Sequence, residues 1–256
     1  MRITTNRNGY ARRALIDLHS HILPGLDDGP AVLEGSLAIA RSAVADGIRT
    51  LAATPHVRDD YPTTADEMES ALETLRAALS AESIDLALVP GGELALERIG
   101  RLDPDDLRRF GLGGNDFWLL VEFPYSGWPL GLPRVAERLA DDDFGIVLAH
   151  PERNPEVQAM PTNLHEFVDE GMLVQLTAAS VDGRLGKRAR EASLALLDLG
   201  LAHLLASDAH APSIREIGLS AAAESLGDDE LARWLTEDVP AAIIARAPLP
   251  ERPSGP

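Results

Sequence analysis

The sequence predicts an α/β fold close to a TIM-type barrel, and three observations carry that expectation. Seven short apolar runs, at 14–18, 48–53, 85–89, 117–121, 145–149, 172–176 and 203–206, alternate with amphipathic stretches of period near 3.6. Such alternation indicates βα units around a parallel sheet. Motifs of His, Asp and Glu follow nearly every run, where a strand ends and a loop begins, and barrel active sites are built at those ends. An open, doubly wound sheet would gather its functional loops at a single switch point instead.

The helices are expected at 32–46, 64–80, 132–141 and 184–199. Asp182 or Gly183 starts the last of these, and Gly200 closes it as a C-cap. After Ala206 the pattern gives helical segments at 213–226, 228–237 and 239–246. Residues 1–15 read as a loose polar and basic arm, 16–247 as one domain, and the Pro-rich 248–256 as a disordered tail.

Composition narrows the function. A chain of 256 residues, 45% hydrophobic and 25% charged, is an ordinary globular domain with room for a substantial core. Its net charge of −18 argues against nucleic-acid binding, which needs clustered Lys and Arg. No apolar run matches a bilayer span and no signal-peptide pattern opens the chain, so a cytoplasmic protein without a transmembrane segment is expected. There is no cysteine, which excludes a disulfide framework, a thiolate zinc site and a cysteine nucleophile.

The motifs in chain order are His19-Ser20-His21 running into Asp27-Asp28-Gly29, then Thr54-Pro55-His56 and Gly91-Gly92-Glu93. Glu122, His150-Pro151-Glu152-Arg153 and Ser207-Asp208-Ala209-His210 complete them. On an extended strand, His19 and His21 point to one face. Asp208 and His210 repeat that spacing. Glu122 lies inside the apolar run Trp118-Leu119-Leu120-Val121-Glu122-Phe123, where a carboxylate is costly unless paired or bound to metal. His165 and His203 lack such settings and read as structural.

Five histidines (His19, His21, His56, His150, His210) and four carboxylates (Asp28, Glu93, Glu122, Asp208) make nine candidate ligands. That number suits two or three divalent ions of manganese, iron or zinc. Three such ions outweigh four carboxylates and leave a positive site for a phosphate dianion. A bridging water there loses its proton readily and becomes a nucleophile. Arg153, three residues after His150, could project its guanidinium at the same pocket; the alternative is a surface arginine on a long flexible stem.

The run Ile16-Asp17-Leu18-His19-Ser20-His21-Ile22-Leu23-Pro24-Gly25-Leu26-Asp27-Asp28-Gly29 resembles the opening motif of the PHP (polymerase and histidinol phosphatase) superfamily. Within it, the chain is similar to the CpsB/CapC-type bacterial tyrosine phosphatases. Thr54-Pro55-His56, Gly92-Glu93, Leu120-Val121-Glu122-Phe123-Pro124, Ala149-His150-Pro151-Glu152-Arg153 and Ser207-Asp208-Ala209-His210 match that branch in order and approximate spacing. So does Leu176-Thr177-Ala178-Ala179-Ser180 ahead of Gly186-Lys187. The likeness runs from about residue 16 to 246.

The resemblance implies a distorted (β/α)7 TIM-like barrel of the PHP type with three metals, usually manganese. It places His19, His21, Glu93 and Asp208 on one ion. Glu93, Glu122 and His150 fall on a second, and Asp28, His56 and His210 on a third. Arg153 and Arg215 correspond to arginines that grip the substrate phosphate, where a guanidinium fork suits phosphate oxygens. The implied activity is hydrolysis of phosphotyrosine by a metal-bridging hydroxide. The implied partner is a bacterial tyrosine kinase or another phosphoprotein of the capsule or exopolysaccharide pathway, and a homo-oligomer is compatible with this.

The chain departs from the branch at Asn154, where an aromatic residue is frequent, and at Ala179, where Gly is common. Its N-terminus is also longer than usual. These departures bear on substrate preference and oligomer contacts rather than on the ligands. Two other readings compete: a phosphatase of histidinol phosphate or a similar small ester, and a non-catalytic metal-bound module regulating polysaccharide assembly.

Overall fold

Nine short parallel strands ring the interior of the computed structural model, which describes residues 14–211 and 216–254. They are β1 (Leu15–Asp17), β2 (Ile48–Ala53), β3 (His56–Val57), β4 (Ala87–Pro90), β5 (Glu93–Leu94), β6 (Trp118–Glu122), β7 (Gly145–Ala149), β8 (Leu173–Thr177) and β9 (Leu204–Ala206). One sheet has the order β1-β2-β4 and the other β3-β5-β6-β7-β8-β9.

Seven of the nine match the seven apolar runs, and β3 and β5 lie beyond the ends of two of them. Thr54-Pro55 separates β2 from β3, and Gly91-Gly92 separates β4 from β5. Proline has no N–H to give a ladder, and paired glycines lack side chains to pack, so both sites suit a break. Each interrupted strand pairs with β1, β2 or β4 in its first half and changes sheets in its second. The ladder therefore never closes fully. Between the last strand and the first, the link is a single bridge, Ser20 with Ala209. Two backbone bonds flank it: His21 N–H donates to the Ala209 carbonyl, and Asp208 N–H to the His19 carbonyl, both at 2.9 Å. This is a distorted α/β barrel with an incomplete circle of strand pairing.

Helices cover the outside, as a parallel sheet buried on both faces requires. Leu33–Asp46 and Ala65–Ala81 are the longest. The second begins with a capping box, in which Thr64 accepts from Glu67 N–H while the Glu67 carboxylate accepts from Thr64 N–H; such a cap is worth roughly 1 kcal/mol. One apolar cluster runs from Leu15 to Ile243, drawing on the strands and the inner faces of the helices.

Two expectations need correcting. The helix expected from Asp182 or Gly183 begins at Lys187, because the Asp182 carboxylate accepts from Arg184 N–H at 3.0 Å and holds a turn there. The Pro-rich tail is also not loose over its described length. Trp234 Nε1–H donates to the Pro250 carbonyl at 3.0 Å, and Arg252 donates to the Leu197 and Ala202 carbonyls at 2.7 and 3.1 Å. The Arg252 guanidinium also lies 5.7 Å from the Trp234 ring centre. Part of the segment expected at 213–226 lies outside the described residues; within the described part, 216–218 are not helical and the helix is Leu219–Glu224. Among the described residues, no helix is long and apolar enough to cross a membrane.

Candidate metal centre

Strand register delivers the ligand-type residues to one end of the barrel. It sets His56 beside Glu93, Glu93 beside Leu120, and Glu122 beside Ala149, the residue before His150. The Ser20–Ala209 bridge brings His19 and His21 alongside Asp208 and His210. Eight of the nine candidates are buried, and Asp28 stands exposed at the rim.

Local backbone makes this gathering feasible. A Cβ on Gly29 would fall 2.1 Å from the His21 carbonyl oxygen, so only glycine lets the 24–29 loop fold beneath His21. His150 and Asp208 adopt left-handed backbone, with φ of 41° and 52°. For a non-glycine residue that costs roughly 1 kcal/mol, and such strain concentrates at functional sites.

Glu93 is the hub. Its Oε1 lies 2.7 Å from His150 Nε2. Its Oε2 is 2.9 Å from His56 Nδ1, 3.3 Å from His21 Nε2 and 3.5 Å from His19 Nε2. Asp208 Oδ1 stands 3.5 and 3.4 Å from the same His19 and His21 nitrogens. Asp28 Oδ1 lies 3.1 Å from His210 Nε2 and 3.5 Å from His56 Nε2.

Residues behind the imidazoles fix which nitrogen faces inward. His19 Nδ1–H donates to Gln175 Oε1 at 2.9 Å, His21 Nδ1–H to Asp27 Oδ2 at 2.7 Å, and His210 Nδ1–H to the Asp208 carbonyl at 2.9 Å. Each proton held on Nδ1 leaves the Nε2 lone pair directed at the cluster. The Nε2 atoms of His19 and His21 are 3.2 Å apart. Two lone pairs so close to each other and to two carboxylates suit a shared divalent cation, so this donor set fits metal ions.

Four overlapping groups could hold an ion. They are His21, Asp28, His56 and His210; His19, Glu93 and His150; His19, His21 and Asp208; and His56, Glu93 and Glu122. All nine sequence candidates occur among them. His150 groups with His19 rather than with Glu122, while Glu122 groups with His56. Glu93 belongs to both sets. His165, paired with Asp169 at 3.8 Å, and His203, whose Nδ1 accepts from Val174 N–H, lie outside every group.

The charges are strongly coupled. Burial disfavours ionised Glu93, but His19 and His56 beside it win and hold its carboxyl well below the usual range. Burial opposes a charged His21 too, yet bonds to Asp208, Asp27 and Glu93 raise it well above normal. Burial keeps His150 down to about 4 despite Glu93. Burial, reinforced by the Glu93 carboxylate, pushes Glu122 up to about 7.

Two arginines and two tyrosines line the mouth. Arg153 donates to Asp208 Oδ2 at 2.5 Å, and its guanidinium lies 5.0 Å from the Tyr125 ring centre. Tyr125 stacks on His150 at 5.6 Å. On the other side Arg58 donates to Glu122 Oε1 at 3.1 Å and lies 5.3 Å from the Tyr61 ring, which stacks on His56 at 5.8 Å. Asn154 ties the 124–127 loop down, donating to the Pro124 and Gly127 carbonyls at 2.8 and 3.0 Å. Arg215 lies outside the described residues.

Sequence reasoning missed Arg58, Tyr61, Tyr125, Asp27 and Gln175 as contributors. Arg58 could have been found two residues after His56, and Asp27 within its own motif. Gln175 leaves no local signal.

A family model for capsular polysaccharide synthesis, CpsB/CapC, matches residues 15–244. This chain belongs to the CpsB/CapC family. Among CpsB/CapC relatives, the tyrosine-protein phosphatase YwqE of Bacillus subtilis is 38% identical over 202 residues, 77% of each chain. The putative tyrosine-protein phosphatase CapC of Staphylococcus aureus is 30% identical over 199 residues, again 77% of each. A solved structure described as YwqE from Bacillus subtilis and CpsB from Streptococcus pneumoniae, unique metal-dependent tyrosine phosphatases, superposes with a TM-score of 0.84. That match has 32% identity and covers 94% of this chain and 100% of the other.

Proposed function

We propose that this CpsB/CapC protein is a metal-dependent protein-tyrosine phosphatase, a phosphomonoester hydrolase. The observation that carries it is Glu93, whose two oxygens lie within 3.5 Å of four imidazoles at the end of the barrel. The relatives' activity supports the same reading. His19, His21, Asp28, His56, Glu93, Glu122, His150, Asp208 and His210 would hold two or three divalent ions, manganese by preference over iron or zinc. When bound, such ions polarise phosphoryl oxygens and make water nucleophilic at neutral pH.

The chain's own residues then divide the work. Gln175 and Asp27 keep the His19 and His21 imidazoles aimed. Arg153 carries its guanidinium at the mouth, 15% exposed, where it turns from Asp208 to the equatorial oxygens of an entering phosphate. Arg215 takes the second such role. A tyrosine phenolate, of pKa near ~10, leaves without a strong general acid, and without cysteine no phosphocysteine can form. The substrate is a bacterial tyrosine kinase or another phosphoprotein of capsule or exopolysaccharide assembly. Tyrosine phosphorylation consumes ATP, which sets that encounter in the cytoplasm.

Assay of the purified protein on a phosphotyrosine peptide and on histidinol phosphate, with and without manganese, tests this. Manganese-dependent release from the peptide, at least tenfold faster than from the small ester, is expected. Preference for histidinol phosphate would overturn the substrate, and no release from either would overturn the activity.

A further inference from the structure

Beside the mouth lies a groove of about 470 Å³ lined by Trp128, Glu156, Ala159, Met160, Asn163 and Glu166. Its walls are the two segments that frame the metal centre, the loop after β6 and the chain after β7. Trp128 follows Tyr125 by three residues, and Glu156 follows Arg153 by three. Asn154 pins the two walls together through the Pro124 and Gly127 carbonyls, and its Oδ1 accepts from Glu156 N–H at 2.7 Å. The floor is firm: Trp128 packs on Phe167 at 5.4 Å and on Phe123 at 5.8 Å, and its Nε1–H donates to Glu166 Oε1 at 3.3 Å.

The rim is apolar and acidic. Met160 is 55% exposed, and nearby on the same loops Tyr125 and Leu130 are 42% and 86% exposed. Large apolar side chains left in water beside a site mark contact with a macromolecule rather than a small ester. Glu156 and Glu166 are exposed and none of the six lining residues is basic. Glu156 stands three residues after Arg153, a separation of at most about 10 Å at ~3.3 Å per residue, so about three residues of extended peptide span it from a phosphotyrosine held at Arg153.

We propose that this groove binds the peptide segment flanking the phosphotyrosine and selects a Lys or Arg there, its stem on Trp128 and Met160 and its charge between Glu156 and Glu166. The inference rests on the phosphatase reading and names the sequence class that the same site prefers. A long basic side chain fits because its methylenes cover apolar surface while its head stays near water and carboxylate. Charge pairing at an exposed rim contributes modestly and weakens in salt.

The test uses the full chain loaded with manganese and phosphotyrosine peptides carrying Lys, Ala or Glu at two to four residues on either side. The wild type is expected to turn over the best Lys peptide with a kcat/KM about tenfold above its Glu counterpart at 50 mM salt, falling toward parity at 500 mM. Glu156→Gln with Glu166→Gln should reduce that preference to about twofold or less. Hydrolysis of 4-nitrophenyl phosphate, which ends at its ring, should stay unchanged. A wild type indifferent to flank charge, or a preference that survives the double substitution, overturns the groove. A matching loss on 4-nitrophenyl phosphate overturns it too, since the effect would then lie in the centre itself. Failure to hydrolyse any of these esters overturns the phosphatase reading instead.

Discussion

Gln175 Oε1 lies 2.9 Å from His19 Nδ1, although the two residues stand 156 positions apart in the chain. Gln175 is the last β8 residue that β7 pairs, beside Ala149, and its amide reaches across the barrel to aim the first imidazole of the opening motif. Partners behind a metal ligand set its tautomer and orientation, and losing one typically costs 10–100-fold in metal affinity. Gln175→Leu keeps the volume and removes the acceptor. A competition titration against a fluorescent chelator should show manganese binding weakened by about that factor, with the fold intact by circular dichroism. Unchanged affinity would mean that His19 needs no such guide.

Arg153→Ala should leave metal content unchanged and lower kcat/KM on a phosphotyrosine peptide by about 10²-fold, equivalent to roughly 2.7 kcal/mol. Its guanidinium touches Asp208 Oδ2 from outside the imidazole cluster, and the proposed function gives it the substrate phosphate to grip. Arg153→Lys should recover part of the loss, because an ammonium gives charge without the planar fork. Arg215→Ala is expected to behave alike on grounds of sequence. Full activity of the Arg153→Ala, Arg215→Ala double variant would make both ordinary surface arginines.

Far from the centre, His203 should make stability fall in mild acid. Burial, aided by Arg252, holds its folded pKa at about 4 against 6.5 for the free side chain. A depressed pKa on a base means that the unfolded chain takes up the proton first. The neutral folded form is fully favoured above pH 6.5, and the advantage drains away as pH falls from 6.5 toward 4. At pH 5 the loss attributable to His203 is about 2 kcal/mol, at 1.36 kcal/mol per unit. Urea unfolding of wild type and His203→Asn at pH 7.5 and 5 reads it as a smaller acid loss in the variant. Equal losses would contradict the assignment.

Arg252→Ala tests the docked tail. The substitution removes two hydrogen bonds to the Leu197 and Ala202 carbonyls and the contact with Trp234. A cost of about 1–3 kcal/mol is expected in chemical unfolding. No change would mean that the tail lies on the surface without holding it.

The strand runs and the ligand motifs were legible because each is local: an apolar run followed by His, Asp or Glu. The two-residue strands His56–Val57 and Glu93–Leu94 were not, since so short a span carries no periodicity. Their ligands were visible even so, next to Pro55 and the Gly91-Gly92 pair. Gln175 reads as one polar residue in a buried strand, and only the folded chain connects it to His19. The tail misled because proline content says what a segment cannot build by itself. It is silent on a docking partner such as Trp234. Tyr125 and Arg58 stayed hidden because their roles depend on stacking across loops.

The central claim is a multinuclear metal centre organised around Glu93. Elemental analysis of protein purified without chelator tests it most directly. Two to three equivalents of divalent transition metal per chain are expected, falling by at least one equivalent in Glu93→Ala; less than one equivalent in the wild type, or no change in the variant, would contradict it.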